Sequence, residues 1–189
     1  MEKLSRIKEF IKPYRGVICF LLAMFIANIF WKISIKGNEY GMSEILLWQI
    51  VDISGFFRIV TQQVSDSVYF ILQGILGMDV SQNGLLLRFN TGENIGIIWG
   101  CSGIKQIFIF LIIMTFSYGS WKNKLWFIPL GILICYGVNV IRISVLCLIA
   151  YSYPNHLDLY HTYIFKYAFY GIIFLIWFGW NEKFGSEKT

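Results

Sequence analysis

Apolar residues run almost unbroken through 16–35, 104–120, 125–151 and 163–180. A hydrocarbon core about 30 Å thick needs ~20 mostly apolar helical residues per crossing. Each run therefore predicts a membrane-spanning helix, the third interrupted by Asn139 and Arg142. Between the first two runs the pattern changes. Phe57, Val60, Val64, Val68, Ile71 and Ile75 recur at three or four residues, with Arg58, Thr61, Gln62, Gln63, Ser65 and Asp66 opposite. That periodicity predicts an amphipathic helix over about 56–77. A crossing there would bury Arg58 and Asp66 at a cost of several kcal/mol and turn Lys122 and Lys124 outward. The expectation is a helix lying on the outer leaflet.

From 84 to 99 the signals are those of strands and turns. Asn83-Gly84 and Asn90-Thr91-Gly92-Glu93-Asn94 mark turns, and Leu85–Phe89 and Ile95–Trp99 read as extended. A small β-hairpin leading into Gly100-Cys101 is predicted. The expected fold class is an all-α integral membrane protein with about four transmembrane helices, an outer-face amphipathic helix and this hairpin. One membrane domain covers 1–189: a basic lead-in at 1–15, an outer segment at 36–100 and a tail at 181–189.

Composition agrees with a bilayer: 57% hydrophobic, 14% charged, mean hydropathy +0.61, against roughly 25% charged in average soluble chains. The formal net charge of +5 is no nucleic-acid signal, because its distribution follows the apolar runs. Lys3, Arg6, Lys8, Lys12 and Arg15 precede the first, Lys122 and Lys124 occupy the turn after the second, and Lys183 and Lys188 follow the last. The positive-inside rule places these three segments, and so both termini, in the cytoplasm. The segment after the first run carries Glu39, Glu44, Asp52, Asp66, Asp79 and Glu93 and reads as the outside. No small-x-small cleavage site follows the first run, so a retained helix is expected rather than a signal peptide.

Three side chains stand out against this background. Cys101 lies in Trp99-Gly100-Cys101-Ser102-Gly103, just before a predicted helix, where the dipole's positive end favours the nucleophilic thiolate. Arg142 lies inside a membrane run, past its midpoint towards the outer surface, where a cation tends to face a polar cavity or a partner. Asn139 shares its helix face at i−3. His161 stands at the outer start of the last run, with an ordinary pKa suited to moving protons; His156 beside Pro154-Asn155 reads as solvated. Lys105, four residues after Cys101, either supports a thiolate or reaches for headgroups. Cys19, Cys135 and Cys147 lie in apolar runs and read as inert packing, with no disulfide framework. Two histidines and no Cys-x-x-Cys give no expectation of a metal or other cofactor. Thiol, imidazole and guanidinium are the parts of a cysteine acyl-transfer site.

These residues resemble the exosortase/archaeosortase family of membrane cysteine transpeptidases. The resemblance runs from about Asp52 to Trp180. It rests on Gly100-Cys101-Ser102-Gly103-Ile104, Asn139-Val140-Ile141-Arg142-Ile143, and His161-Thr162-Tyr163-Ile164-Phe165 followed by Tyr170-Gly171. It implies Cys101 as nucleophile, Arg142 as its electrostatic partner and His161 as third member, a bacterial type of the site on the outer face of the cytoplasmic membrane. It also implies substrates: secreted proteins with a C-terminal motif, a transmembrane helix and a basic cluster, cut at the motif and passed to a surface acceptor. The chain is shorter than the larger members and looks like a short form. A second resemblance uses Ser102: Gly100-Cys101-Ser102-Gly103 also fits the Gly-x-Ser-Gly of rhomboid serine proteases, with His161 as dyad partner, which leaves Arg142 without a task. A third reading makes the chain a membrane scaffold or small transport subunit, with Arg142 as a structural charge.

Overall fold

Helix α1, Arg15–Ser34, is largely apolar all round but buries one stripe, Phe20, Ala27, Trp31 and Ser34, half-buries Gly16, Ala23, Met24 and Asn28, and leaves the rest exposed. Such a helix suits a lipid surround with one protein-facing seam. The computed structural model describes residues 14–37, 44–90, 92–153 and 160–185. Most of the predicted lead-in, His156 with its loop and the end of the tail lie outside those residues. After α1 comes a small antiparallel sheet that the sequence pattern did not predict: β1 (Ile35–Lys36), β2 (Leu46–Leu47) and β3 (Val51–Asp52). Its β2–β3 turn sets Trp48 at φ 56° and Gln49 at φ 60°, closed by Ile50 N–H donating to Leu47 O at 3.1 Å. Turns of this type favour Asn-Gly, so Trp-Gln carries no turn signal.

Helix α2, Ser54–Tyr69, continues through a wide π-helical stretch, Phe70–Ile75. At its start Asp52 Oδ1 accepts from Ser54 N–H at 2.8 Å and from the Ser54 hydroxyl. These bonds hold the Asp52 carboxyl below its ordinary pKa. The apolar stripe expected to lie on lipid is turned inward instead. Phe57, Val64 and Val68 are buried, and the wide turn shifts the phase so that Leu72, not Ile71, continues the buried row. Val64, Val68 and Leu72 pack against a second sheet and against Val140, Ile143 and Cys147. Lipid-compatible side chains on α2 lie on another side, at the exposed Phe56, Ile59, Phe70 and Ile75.

That second sheet has three strands where two were predicted: β4 (Val80–Asn83), β5 (Leu86–Phe89) and β6 (Asn94–Gly96), a meander with Val80 opposite Phe89 and Leu87 opposite Ile95. Val80, Leu87 and Phe89 point into the core between α2 and the long helix described next.

Helix α3, Ile104–Phe116, has 13 residues and spans about 20 Å, less than the predicted 104–120. It stops where both the backbone N–H and hydroxyl of Ser117 bond to Ile113 O and Gly119 takes φ 122°. Helix α4, Trp121–Ser152, has 32 residues, about 48 Å, and α5, Phe165–Phe184, has 20. Among the described residues, α1 and α4 are long and apolar enough to cross a membrane; α3 is apolar but shorter.

Core packing explains how α3, α4 and α5 hold together. Phe110 of α3 lies directly on Gly131 of α4, and Trp177 and Trp180 of α5 pack into the same cluster with Phe20 of α1. At the end where α3 finishes, Trp180 Nε1 donates to Tyr118 O at 2.7 Å. Lys124 is not a solvated turn residue there, as the charge pattern suggested. It lies in the first turn of α4, is 3% exposed, and its Nζ donates to Thr115 O at 3.0 Å and Ser117 O at 2.6 Å. A cation opposes its own helix dipole at that position but satisfies the carbonyl end of the neighbouring helix. Lys124→Met is expected to destabilise the protein by about 1.5–3 kcal/mol, the range for bonds to a charged donor, read as a lower unfolding temperature in detergent.

Candidate active site

The chain approaches Cys101 through Ile98, which is extended, and turns in a single 3₁₀ turn, Trp99–Cys101. Cys101 N–H donates to Ile98 O at 2.9 Å and Ser102 N–H to Trp99 O at 3.0 Å. Gly103 then takes φ +78° and starts α3. The thiol thus lies three residues before the helix rather than at its cap. Its own amide is committed to the 3₁₀ turn.

What fixes the turn is α4. Asn139, 1% exposed, donates from Nδ2 to Cys101 O at 2.8 Å. Gly103 leaves space for this contact: a Cβ there would lie 2.9 Å from Asn139 Cγ. Sequence spacing put Asn139 on the Arg142 face, and the structure shows that face holding the cysteine loop. Gly103→Ala is expected to cost at least about 2 kcal/mol, combining the strain of a side chain at positive φ with overpacking. Thermal unfolding checks the cost, and the displaced group is the one holding Cys101.

One cavity of about 700 Å³ is lined by Cys101 together with Ser102, Lys105, Gln106 and Arg142. Arg142 is 9% exposed and shares that lining with Cys101. Its Nε, like Gln106 Oε1, is buried with no hydrogen-bond partner among the described residues. Ser102 is 2% exposed and its Oγ accepts from Ile104 N–H at 3.4 Å, as a residue that shapes the helix start does. Cys101 is half-buried; Cys135 is buried in another cluster, whereas Cys147 is buried in the cluster against which Cys101 packs. His161 falls in the π-helical stretch Tyr160–Ile164, which leads directly into α5 and to Lys166, another residue of the cavity wall. The His161 side chain lies outside the described residues.

Two cationic residues of the cavity, Lys32 and Lys166, were not singled out from the sequence. Lys32 near the end of α1 and Lys166 near the start of α5 both line it, as does Tyr170, whose hydroxyl donates to Asn28 Oδ1 of α1 at 3.3 Å. The available signal was a lysine at the same end of each of two apolar helices, a pattern that headgroup anchoring also produces. With Lys105 and Arg142 the cavity has four cationic residues, and no carboxylate among its described lining.

A helical membrane protein with a thiol, a buried guanidinium and a positioning amide at one end of its bundle defines a class of membrane protein, and the family comparison agrees. The model for transmembrane exosortase (Exosortase_EpsH) matches residues 45–179, most of the chain, including Cys101, Asn139, Arg142 and His161. The protein belongs to the transmembrane exosortase family. Searches of curated proteins and of solved structures gave no match.

Proposed function

We propose that this membrane protein is a cysteine transpeptidase that removes the C-terminal sorting tail of secreted proteins and passes them to a surface acceptor. The observation that carries the reading is that Cys101 and the buried Arg142 share a cavity, with Asn139 of the arginine's own helix holding the cysteine carbonyl. Family membership supports the same chemistry.

In this mechanism the Cys101 thiolate attacks the scissile carbonyl carbon. The oxygen gains charge in the tetrahedral intermediate, and the Arg142 guanidinium stabilises it within a cavity of low dielectric. The C–N bond then breaks, His161 gives a proton to the departing amine, and a thioester to Cys101 remains. An acceptor amine attacks that thioester, His161 takes its proton, and the C–S bond breaks to return the Cys101 thiolate beside the protonated imidazole. The site faces outward across the bacterial cytoplasmic membrane with both termini inside. Arg15, Lys122 and Lys183 at the opposite ends of their helices support that orientation.

Intact mass spectrometry of a tailed secreted protein, co-expressed with wild type or with Cys101→Ala, tests the reading. Wild type should yield a product shortened at one site and increased by the acceptor's mass, and the variant should leave the full-length chain. Identical masses with both would overturn the proposal.

A further inference from the structure

Helices α1 and α5 both contribute to the wall of the cavity that holds Cys101. On α1 its wall is the stripe Phe25, Asn28, Ile29 and Lys32, spaced three, four and seven residues apart and so on one face. On α5 it is Lys166 and Tyr170, four residues apart. Phe25 and Ile29 are 63% and 43% exposed, and Lys32 and Lys166 are exposed too. The mouth therefore lies between α1 and α5. Below it the same two helices are closed together: Phe20 packs on Phe174 and Trp177 with ring centroids 5.2 and 4.9 Å apart, and the Tyr170–Asn28 hydrogen bond forms the floor.

Resting on the function proposed above, we infer that the α1–α5 mouth is where a substrate's transmembrane helix docks, feeding only the extended segment beside it to Cys101. Volume decides the division. A 30 Å helix about 10 Å across occupies roughly 2,400 Å³, against a cavity of about 700 Å³. The helix stays in lipid against Phe25 and Ile29, and a few extended residues enter past Lys32 and Lys166.

The chemistry of the wall changes in the same order. It is apolar where a helix with satisfied backbone bonds would lie, and rich in donors where an extended chain would present bare carbonyls. Deeper in, the buried Arg142 Nε lacks an acceptor and the buried Gln106 Oε1 lacks a donor among the described residues. Native proteins seldom leave such groups unsatisfied. A donor and an acceptor on residues that line one cavity suit a peptide group, which offers both a C=O and an N–H. A lipid phosphate offers acceptors alone and would leave Gln106 unsatisfied, so the occupant inferred is polypeptide.

Site-specific photocrosslinking in native membranes tests this. A benzoylphenylalanine is placed at position 29 or 166, or at the lipid-exposed positions 133 and 141 of α4, in the Cys101→Ala background with a tailed substrate whose processing requires Cys101. Positions 29 and 166 should crosslink the substrate at least about 5-fold more than 133 and 141, with the adduct from 29 mapping to the apolar helix of the tail. Equal labelling at all four positions, or adducts at 29 to lipid alone, would overturn the inference. A second measurement needs no trapped complex: Ile29→Trp narrows the mouth and should raise KM for the anchored substrate several-fold with kcat unchanged, whereas a fall in kcat alone would count against it. The two proposals fail separately, because processing that survives Cys101→Ala removes the function, while Cys101-dependent processing with unselective crosslinks removes only the docking seam.

Discussion

Cys101→Ala should abolish processing of tailed substrates, by on the order of 10⁴-fold or more, while Ser102→Ala should retain most of it. A covalent nucleophile cannot be replaced by binding and electrostatics, and its removal leaves only their residual contribution. The neighbouring hydroxyl differs in its surroundings. Ser102 is buried, and its oxygen accepts only a long hydrogen bond from the Ile104 amide, so its removal is expected to cost about 1 kcal/mol of local stability and to spare the reaction. Time courses of substrate cleavage for the two variants, at matched amounts of folded protein, decide the matter. Loss with Ser102→Ala and survival with Cys101→Ala would hand the site to a serine mechanism.

The largest expected effect on stability lies away from the site. A Cβ at Gly131 would fall 2.1 Å from the tip of the Phe110 ring and 2.7 Å from the next ring carbon. Phe110 has 0% exposure and lies in the core cluster with Ile113, Met114 and Trp180, so the ring has no space into which to swing. Gly131→Ala is expected to push α3 from α4 and destabilise by about 3 kcal/mol, the upper part of the range for overpacking. Gly137→Ala is the internal control. It lies on the same helix with nothing within 4 Å of its would-be Cβ, and should be neutral or stabilising by up to about 1 kcal/mol. Unfolding temperatures of the two variants in one detergent should separate clearly, and equal values would show that α3 and α4 do not approach as described. Because α4 also carries Asn139 and Arg142, Gly131→Ala should reduce activity as well.

How much of this was legible in the chain can be judged residue by residue. The apolar runs announced α1 and α4 because length and hydropathy are local properties, and α1 begins within a residue of its predicted start. The end of α3 was misplaced because apolarity continued as far as Trp121 while the backbone turned at Gly119, a turn held by Trp180 from a distant helix. The periodicity of α2 was readable, but not what its stripe faced. A stripe of Phe57, Val64 and Val68 suits lipid and protein equally, and only the folded chain sets it against β4, β5 and α4. Lys124 looked like a solvated charge for the same reason: its partners are carbonyls of another helix.

Residue type and order alone determined a membrane class, the positions of its long helices, a thiol at the start of one run and a guanidinium inside another. Those conclusions follow from transfer energies and helical period, which each segment carries within itself. Tertiary structure decided that Asn139 grips the Cys101 carbonyl across an αL glycine, that Lys32 and Lys166 complete the cavity, and that its mouth lies between the first helix and the last. Such facts depend on which surfaces meet. Contacts between residues a hundred or more positions apart are set by the packing of the whole bundle, which no local pattern records.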